Sequence, residues 1–351
     1  CVQPRPLHFT AKLEVTEIFV SVNSLGIKLR GSDLALAQIT SKWKGFLTTI
    51  EEFAEQFDDD EKYILESGLP VRTLVVFATH QSRFKTVGRI PVAKLKEAWE
   101  KAKEALEFSI NFVRSNAGVE HLSYLSSPSL LITVGVFAVL KGGKLTAEQT
   151  KMLQHWLHTA HVRAHYSAGS SETILDADLS ILFKGRDLDA LKQQLLQHVK
   201  KFELEGLEVR GRNIRNPIFS MLYHVLRQNG AKDWLSGLAI SDRHTGRTHK
   251  IQYHHIFPRA LLKKAGYEPK EINQIANMAF IGGRTNRQIQ DREPFDYFQD
   301  VVLPKQGEPA LVSQLIPTDK ELWKLVAYPQ FIEWRSRAIA DAVNAYLRKF
   351  E

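Results

Sequence analysis

Two adjacent histidines, His254 and His255, close a strand-like alternation that starts at Thr248, and Pro258 stops it three residues later. Proline has no amide hydrogen for a sheet ladder, so the strand cannot run through that position. Neighbouring strand residues point to opposite faces. A bulge or a strand end must therefore re-aim one imidazole if both are to serve one site. Around this point the chain offers a turn at Thr245-Gly246 and a helix start over Arg259–Lys264. Further on come Asn273-Gln-Ile-Ala-Asn277, the apolar run Met278–Ile281, and Gly282-Gly283-Arg284-Thr-Asn286 leading into a helix through Arg287, Gln288 and Ile289.

Strand, turn, strand and helix, carrying His-His, Asn277 and Asn286 in that order, is the layout of a ββα-metal nuclease, and phosphodiester chemistry accounts for the residue types. A neutral imidazole can take a proton from water near neutral pH. A divalent ion held by one histidine and one helix residue stabilises charge developing on phosphate oxygens. The expected roles are His255 as general base, His254 as metal ligand and Asn286 as the second ligand. Asn277 is expected to hold the other ring nitrogen of the base and so fix its tautomer. Arg284, Arg287, Arg259 and Lys250 are placed to meet DNA phosphates. An amide oxygen suits a hard cation, one Mg²⁺ or Mn²⁺ per site, better than tightly bound zinc. The plainer readings stay open: His-His as structural, Asn277 and Asn286 as caps.

Charge supports a polyanionic partner. The net charge is +8, yet eleven lysines and arginines fall between Val209 and Lys264 against two acids, Asp233 and Asp242. The positive field thus surrounds the histidine pair, which fits nucleic acid, although a solvated basic face is the simpler alternative. Cys1 is the only cysteine, so disulfide frameworks and cysteine-based zinc knuckles are excluded. The longest apolar run, Leu130–Leu140, is too short to cross a bilayer and reads as a buried helix. A cytoplasmic protein without a membrane partner is expected. The chain lacks an initiator Met and is read as an excised or incomplete one.

Elsewhere the pattern is helical. Leu95, Trp99, Ala102, Leu106, Ile110 and Val113 recur at helical spacing over Pro91–Ser115. Pro128 opens a helix that Gly142-Gly143 ends, and Thr146-Ala-Glu-Gln149 is a capping box for the next. Ser32-Asp33 can cap a helix from Leu34, and Leu188–Phe202 is amphipathic. Lys12–Val22 alternates like a strand and Asn23–Gly26 makes a turn. Leu74–Phe77 fits a strand or a buried helical turn. His155, His158, His161 and His165 lie along one side of a helix; partly solvated histidines are the default there, a zinc stripe the alternative. Trp323, Tyr328 and Trp334 read as core of the last helices.

His-His-Ile-Phe-Pro258, Asn277 before its apolar run, Thr-Asn286, Asp291-Arg-Glu-Pro294, Tyr297-Phe298 and Phe331-Ile-Glu-Trp-Arg335 together resemble the C-terminal HNH domain of GmrSD-type restriction endonucleases. Glu17–Leu29, with Asn23 and Gly26, and Ser32-Asp33-Leu resemble the same family's ParB-like nucleotide-hydrolysing domain. The resemblance implies a phage-defence nuclease acting on double-stranded, including modified, DNA. Asn23 and Gly26 would then belong to an N-terminal pocket, with Tyr166, Ser167 and Asp178 lining it. The family's Asp-Gly-Gln-Gln-Arg motif is absent from this chain, so no nucleotide hydrolysis is expected of it. The expected fold is α+β and mostly helical. A truncated ParB-like and helical regulatory part, residues 1–205, precedes a ββα-metal (HNH) domain wrapped by helices, residues 206–351. A separate N-terminal fragment or self-association would complete the first part. A DNA-binding sensor with an inactive HNH site, or an RNA-cleaving HNH nuclease, are the rival readings.

Overall fold

A computed structural model describes residues 30–57, 62–167, 170–244 and 246–351. Asn23, Gly26 and the alternating segment before them lie outside the described residues. The longer helices, in chain order, are α1 (Gly31–Lys42), α2 (Phe46–Glu55), α3 (Gly68–Thr79), α4 (Val92–Ser115), α5 (Ser129–Leu140) and α6 (Ala147–Val162). They continue with α7 (Ser171–Phe183), α8 (Leu188–Val199), α9 (Pro217–Gln228), α10 (Arg259–Lys264), α11 (Gly283–Ile289), α12 (Leu303–Val312) and α13 (Tyr328–Arg348). Two strands, β1 (Ile251–His255) and β2 (Met278–Gly282), form one antiparallel pair. The protein is therefore mostly helical with a small sheet. No helix among the described residues is long and apolar enough to cross a membrane.

The described residues divide into two compact units that do not follow chain order. One takes residues 30–112, Leu131–Lys144 and 170–187; the other takes Val113–Leu130, 145–167 and Leu188–Glu351. All of 206–351 falls in the second unit, together with three earlier stretches.

In the first unit, side-chain period decides the helices. Leu95, Trp99, Ala102, Leu106 and Ile110 of α4 are all buried, at 1% exposure or less. Helix α5 is apolar on every side and buried almost throughout. The Gly142-Gly143 pair ends it with backbones at φ 70° and 72°, a conformation glycine adopts without strain. Leu74–Phe77 proves to be helical, inside α3, which fits a run buried on all sides better than a half-exposed strand. Helix α1 starts earlier than expected, at Gly31. Asp33 therefore occupies the third helical position and accepts the Arg30 N–H at 3.0 Å, so it is not the cap itself. Gly135 on α5 passes so close to α4 that a Cβ there would lie 2.3 Å from the Ala105 carbonyl oxygen. Gly135→Ala is expected to lower stability by at least about 1–3 kcal/mol, because backbone cannot yield as a side chain does. Urea unfolding of the variant checks this.

The second unit holds the sheet and one large apolar core, with Trp234, Phe257, Phe280, Trp323, Tyr328 and Phe331 among its fully buried members. Thr146 caps α6 as expected: its hydroxyl accepts from the Gln149 N–H while the Gln149 side chain accepts from the Thr146 N–H. Helix α8 stops at Val199, short of Phe202, because Lys200 turns left-handed at φ 66°. Trp323 and Tyr328 are core residues, whereas Trp334 is 41% exposed.

Helix α6 corrects the reading of its histidines: it ends at Val162, so His155, His158 and His161 lie on it and His165 lies in the turn beyond. His155, His158, His161 and His165 are buried, at 5% exposure or less, and not partly solvated. They do not converge on one ion. His161 accepts the Ser126 N–H at Nδ1 (2.9 Å) and faces the Ser220 hydroxyl at Nε2 (3.1 Å). His158 meets the Tyr346 hydroxyl at 3.3 Å, and His155 lies 3.5 Å from the Glu351 carboxylate.

Candidate active site

Strand β1 begins at Ile251, after a helical turn over Gly246–His249, and ends on His255. Its partner is not across a tight Thr245-Gly246 turn. It is β2, reached through α10 and a short helix over Pro269–Ile272. The register sets His254 opposite Ala279 and His255 opposite Met278. The ladder runs one step further, through the Ile256 N–H to the Asn277 carbonyl at 2.8 Å, before Pro258 ends it. Helix α11 leaves β2 without a linker, so Asn286 sits one turn from the sheet.

His254 is 5% exposed, and its Nδ1 lies 2.8 Å from the Asn286 Oδ1. The Asn286 amide is oriented from behind, because its Nδ2 donates to the Gln252 Oε1 at 2.6 Å. That bond turns the amide oxygen toward the imidazole. The other ring nitrogen of His254, Nε2, is buried without a hydrogen-bond partner, and the ring packs at steep angles against Trp234 and Tyr297. Burial, and secondarily the neighbouring His255, pulls the His254 pKa down to about 4, against the raising effects of Asn286 and the Asp291 charge. His254 is therefore neutral at neutral pH; its Nδ1 carries the proton toward the Asn286 oxygen, and that proton has to move to Nε2 before Nδ1 can ligate a cation.

His255 has a different carboxamide. Its Nε2 lies 3.0 Å from the Asn273 Oδ1, and the Asn273 Nδ2 donates to the Pro269 carbonyl at 2.8 Å. An amide oxygen only accepts, so His255 carries its proton on Nε2 and leaves Nδ1 as the basic nitrogen. Burial lowers the His255 pKa, Asn273 opposes the shift, and the Arg259 charge adds to it.

Asn277 does not take the role expected of it. It is fully buried, and its amide is committed to backbone: Oδ1 accepts the Phe257 N–H at 2.9 Å, and Nδ2 donates to the carbonyls of Phe257 and Ile272 at 3.1 and 3.0 Å. It ties the exit of β1 to the entry of β2. The group that orients the second imidazole is Asn273, four residues earlier.

Three further residues hold this geometry, and none of them stands out in the sequence. Asp233 is buried and accepts five hydrogen bonds, including the Gly282 N–H and the Thr285 hydroxyl, both at 2.7 Å. Burial raises its pKa, but the bonds from Ser236, Gly282 and Thr285 outweigh that and hold it below the usual carboxylate value. It fixes the junction of β2 and α11. Gln314 lies along β2 as a substitute strand, accepting the Phe280 N–H and donating to the Phe280 carbonyl at 2.9 and 2.8 Å. The fully buried Arg335 of α13 donates to the carbonyls of Ala276, Gln314 and Leu315. Asp233→Ala would orphan several buried donors at once, and a loss of about 3 kcal/mol or more is expected in urea unfolding.

Arg284 and Arg287 flank Asn286 on α11 and are exposed, as are Arg259 and Lys250. Arg287 donates to the Arg247 carbonyl at 3.2 Å, and a Cβ on Gly283 would meet that same carbonyl at 2.4 Å. Close passage of the Arg247 backbone over the start of α11 is thus what demands glycine there.

The donor set fits a hard divalent cation. One imidazole nitrogen and one amide oxygen stand 2.8 Å apart, about the spacing of adjacent ligands at bonds of roughly 2.1 Å. No group of three His, Cys, Asp or Glu gathers among the described residues. Any cation at His254 and Asn286 therefore relies on water, substrate oxygens and the nearby Asp291 charge for its remaining ligands.

No family model matches the chain. An uncharacterized protein of Methanocaldococcus jannaschii is 19% identical over 330 residues, which cover 89% of this chain and 54% of that protein. The chain spans about half the length of that curated relative.

Proposed function

We propose that the second unit carries a metal-dependent HNH endonuclease site that hydrolyses DNA phosphodiester bonds. The observation that carries this reading is the meeting of Asn286 Oδ1 and His254 Nδ1 at 2.8 Å, with His255 next on the same strand and held in one tautomer by Asn273.

In this reading His254 and Asn286 hold one Mg²⁺ or Mn²⁺, which when bound stabilises the charge developing on the phosphate and on the leaving oxygen. The basic Nδ1 of His255 takes the proton from the attacking water. Asn273 accepts from Nε2–H, keeps the ring from rotating and steadies the imidazolium that forms. Arg284, Arg287, Arg259 and Lys250 stay exposed and meet the DNA backbone, the contacts that position a duplex without reading its sequence. Residues 206–351 are the HNH module of the proposal, and residues 1–205 its regulatory part, similar to the ParB-like part of GmrSD-type enzymes. Foreign DNA in the cytoplasm is the substrate implied.

Supercoiled plasmid incubated with the protein and Mg²⁺ or Mn²⁺ tests this. Nicked or linear product that disappears in EDTA and with Asn286→Ala is expected. Binding without any cleavage would mean an inactive HNH site, and cleavage of RNA alone would move the substrate class.

A further inference from the structure

On the second unit a cleft of about 460 Å³ opens beside β1, and Tyr253 lines it. Tyr253 immediately precedes His254 and shares a strand face with His255 by the two-residue period. Its ring is 44% exposed. Phe219 and Phe280 meet it at 89° and 87°, with centroids 4.9 and 5.7 Å away, so neither lies parallel to it. The ring is therefore braced by its neighbours but stacked on neither of them, and it is partly exposed. The polar wall of the cleft includes Asn216, the exposed Arg215 and Ser126, whose hydroxyl is buried without a hydrogen-bond partner. Arg215 and Asn216 offer donors and one positive charge, on the stretch that holds the chain's excess of lysine and arginine.

We propose that this cleft receives a single unpaired nucleobase of the substrate strand, stacked on Tyr253, with Asn216 and Arg215 meeting its polar edge or the adjoining phosphate. The proposal rests on the nuclease reading for its ligand class. Its chemistry is that of stacking platforms: a rigid aromatic face beside a cationic wall accepts any base, because every base has a π-face.

Binding of a short single-stranded oligonucleotide carrying 2-aminopurine, measured in EDTA so that nothing is cut, tests the cleft separately from hydrolysis. Deoxy- and ribo-oligonucleotides are run in parallel to separate the two sources of a base. Wild-type protein is expected to quench the 2-aminopurine fluorescence. Tyr253→Ala should lose the quench and bind about 5- to 150-fold more weakly. Tyr253→Phe, which keeps the stacking face, should behave as wild type. So should Trp334→Ala, which removes an exposed aromatic far along α13, and circular dichroism confirms that each variant is folded. Quenching and affinity unchanged in Tyr253→Ala would overturn the proposal even if plasmid is cut. Quenching that depends on Tyr253 would uphold it even if plasmid is never cut, in which case only the hydrolytic reading fails.

Discussion

His255→Ala is expected to lower divalent-ion-dependent cleavage by about 10²- to 10⁴-fold, the usual contribution of a positioned general base. The fold should survive the change. His255 is only half-buried, and its partner Asn273 keeps a second bond, to the Pro269 carbonyl. Because burial depresses the His255 pKa, the base is already deprotonated at neutral pH. Under subsaturating substrate the wild-type rate should therefore be flat above pH 7 and fall only below the ordinary histidine value near 6.5. The residual rate of the alanine variant should lack that acid limb. Added imidazole restoring part of the rate would identify the missing group as a base. Single-turnover cleavage across pH, with and without imidazole, reads all three. An alanine variant that cuts at the wild-type rate removes His255 from the chemistry.

The second large effect is on stability. Besides His254, three histidines of the second unit are held neutral inside it: burial takes His161 to about 4, His224 to about 3 with help from the Arg227 charge, and His158 well below its ordinary value. Above pH 6.5 neither the folded nor the unfolded chain protonates them, and they contribute no pH dependence. Below 6.5 the unfolded chain takes up protons that the folded one refuses, so stability falls as pH falls. The slope is about 1.4 kcal/mol per pH unit for each histidine. For His161 alone the loss reaches roughly 3 kcal/mol by pH 4, where the folded protein begins to take up its proton. His224 continues to about pH 3. Urea unfolding at pH 7.5, 6.5, 5.5 and 5.0 isolates the effect, because ordinary carboxylates are still ionised over that range. His161→Asn should be less stable at pH 7.5 but show a shallower slope. Stability that is level between pH 7 and 5 would contradict the neutral state of these rings.

How much of this was legible in the sequence depends on how local the determining contacts are. The buried stripe of α4, the Thr146 capping box and the Gly142-Gly143 stop are settled within a few residues, and each appears where the pattern puts it. His254 and Asn286 could be paired from their order along the chain, since a strand and the helix that follows its partner strand have little freedom. Asn273 and Asn277 could not be told apart. Both are carboxamides four residues apart, each directly preceded by an apolar residue, Ile272 or Ala276, and only the short helix over Pro269–Ile272 decides which of them swings toward His255. Asp233, Gln314 and Arg335 were illegible for a related reason. Their partners lie tens of residues away, and a polar residue committed to distant backbone looks the same in sequence as one in solvent. The histidines of α6 show the same limit: spacing placed them on one side of a helix, but their burial depends on Ser126, Ser220 and Tyr346, which come from other elements.

The proposed hydrolysis depends on a divalent ion lying between an imidazole nitrogen and an amide oxygen. Pulsed electron paramagnetic resonance of the protein loaded with one equivalent of Mn²⁺, and of its His254→Ala variant, addresses that contact directly. The account predicts a nitrogen coupling from one imidazole in the wild-type protein, absent from the variant together with most of the Mn²⁺ affinity. Mn²⁺ bound equally well by both proteins, with no nitrogen coupling in either, would contradict it.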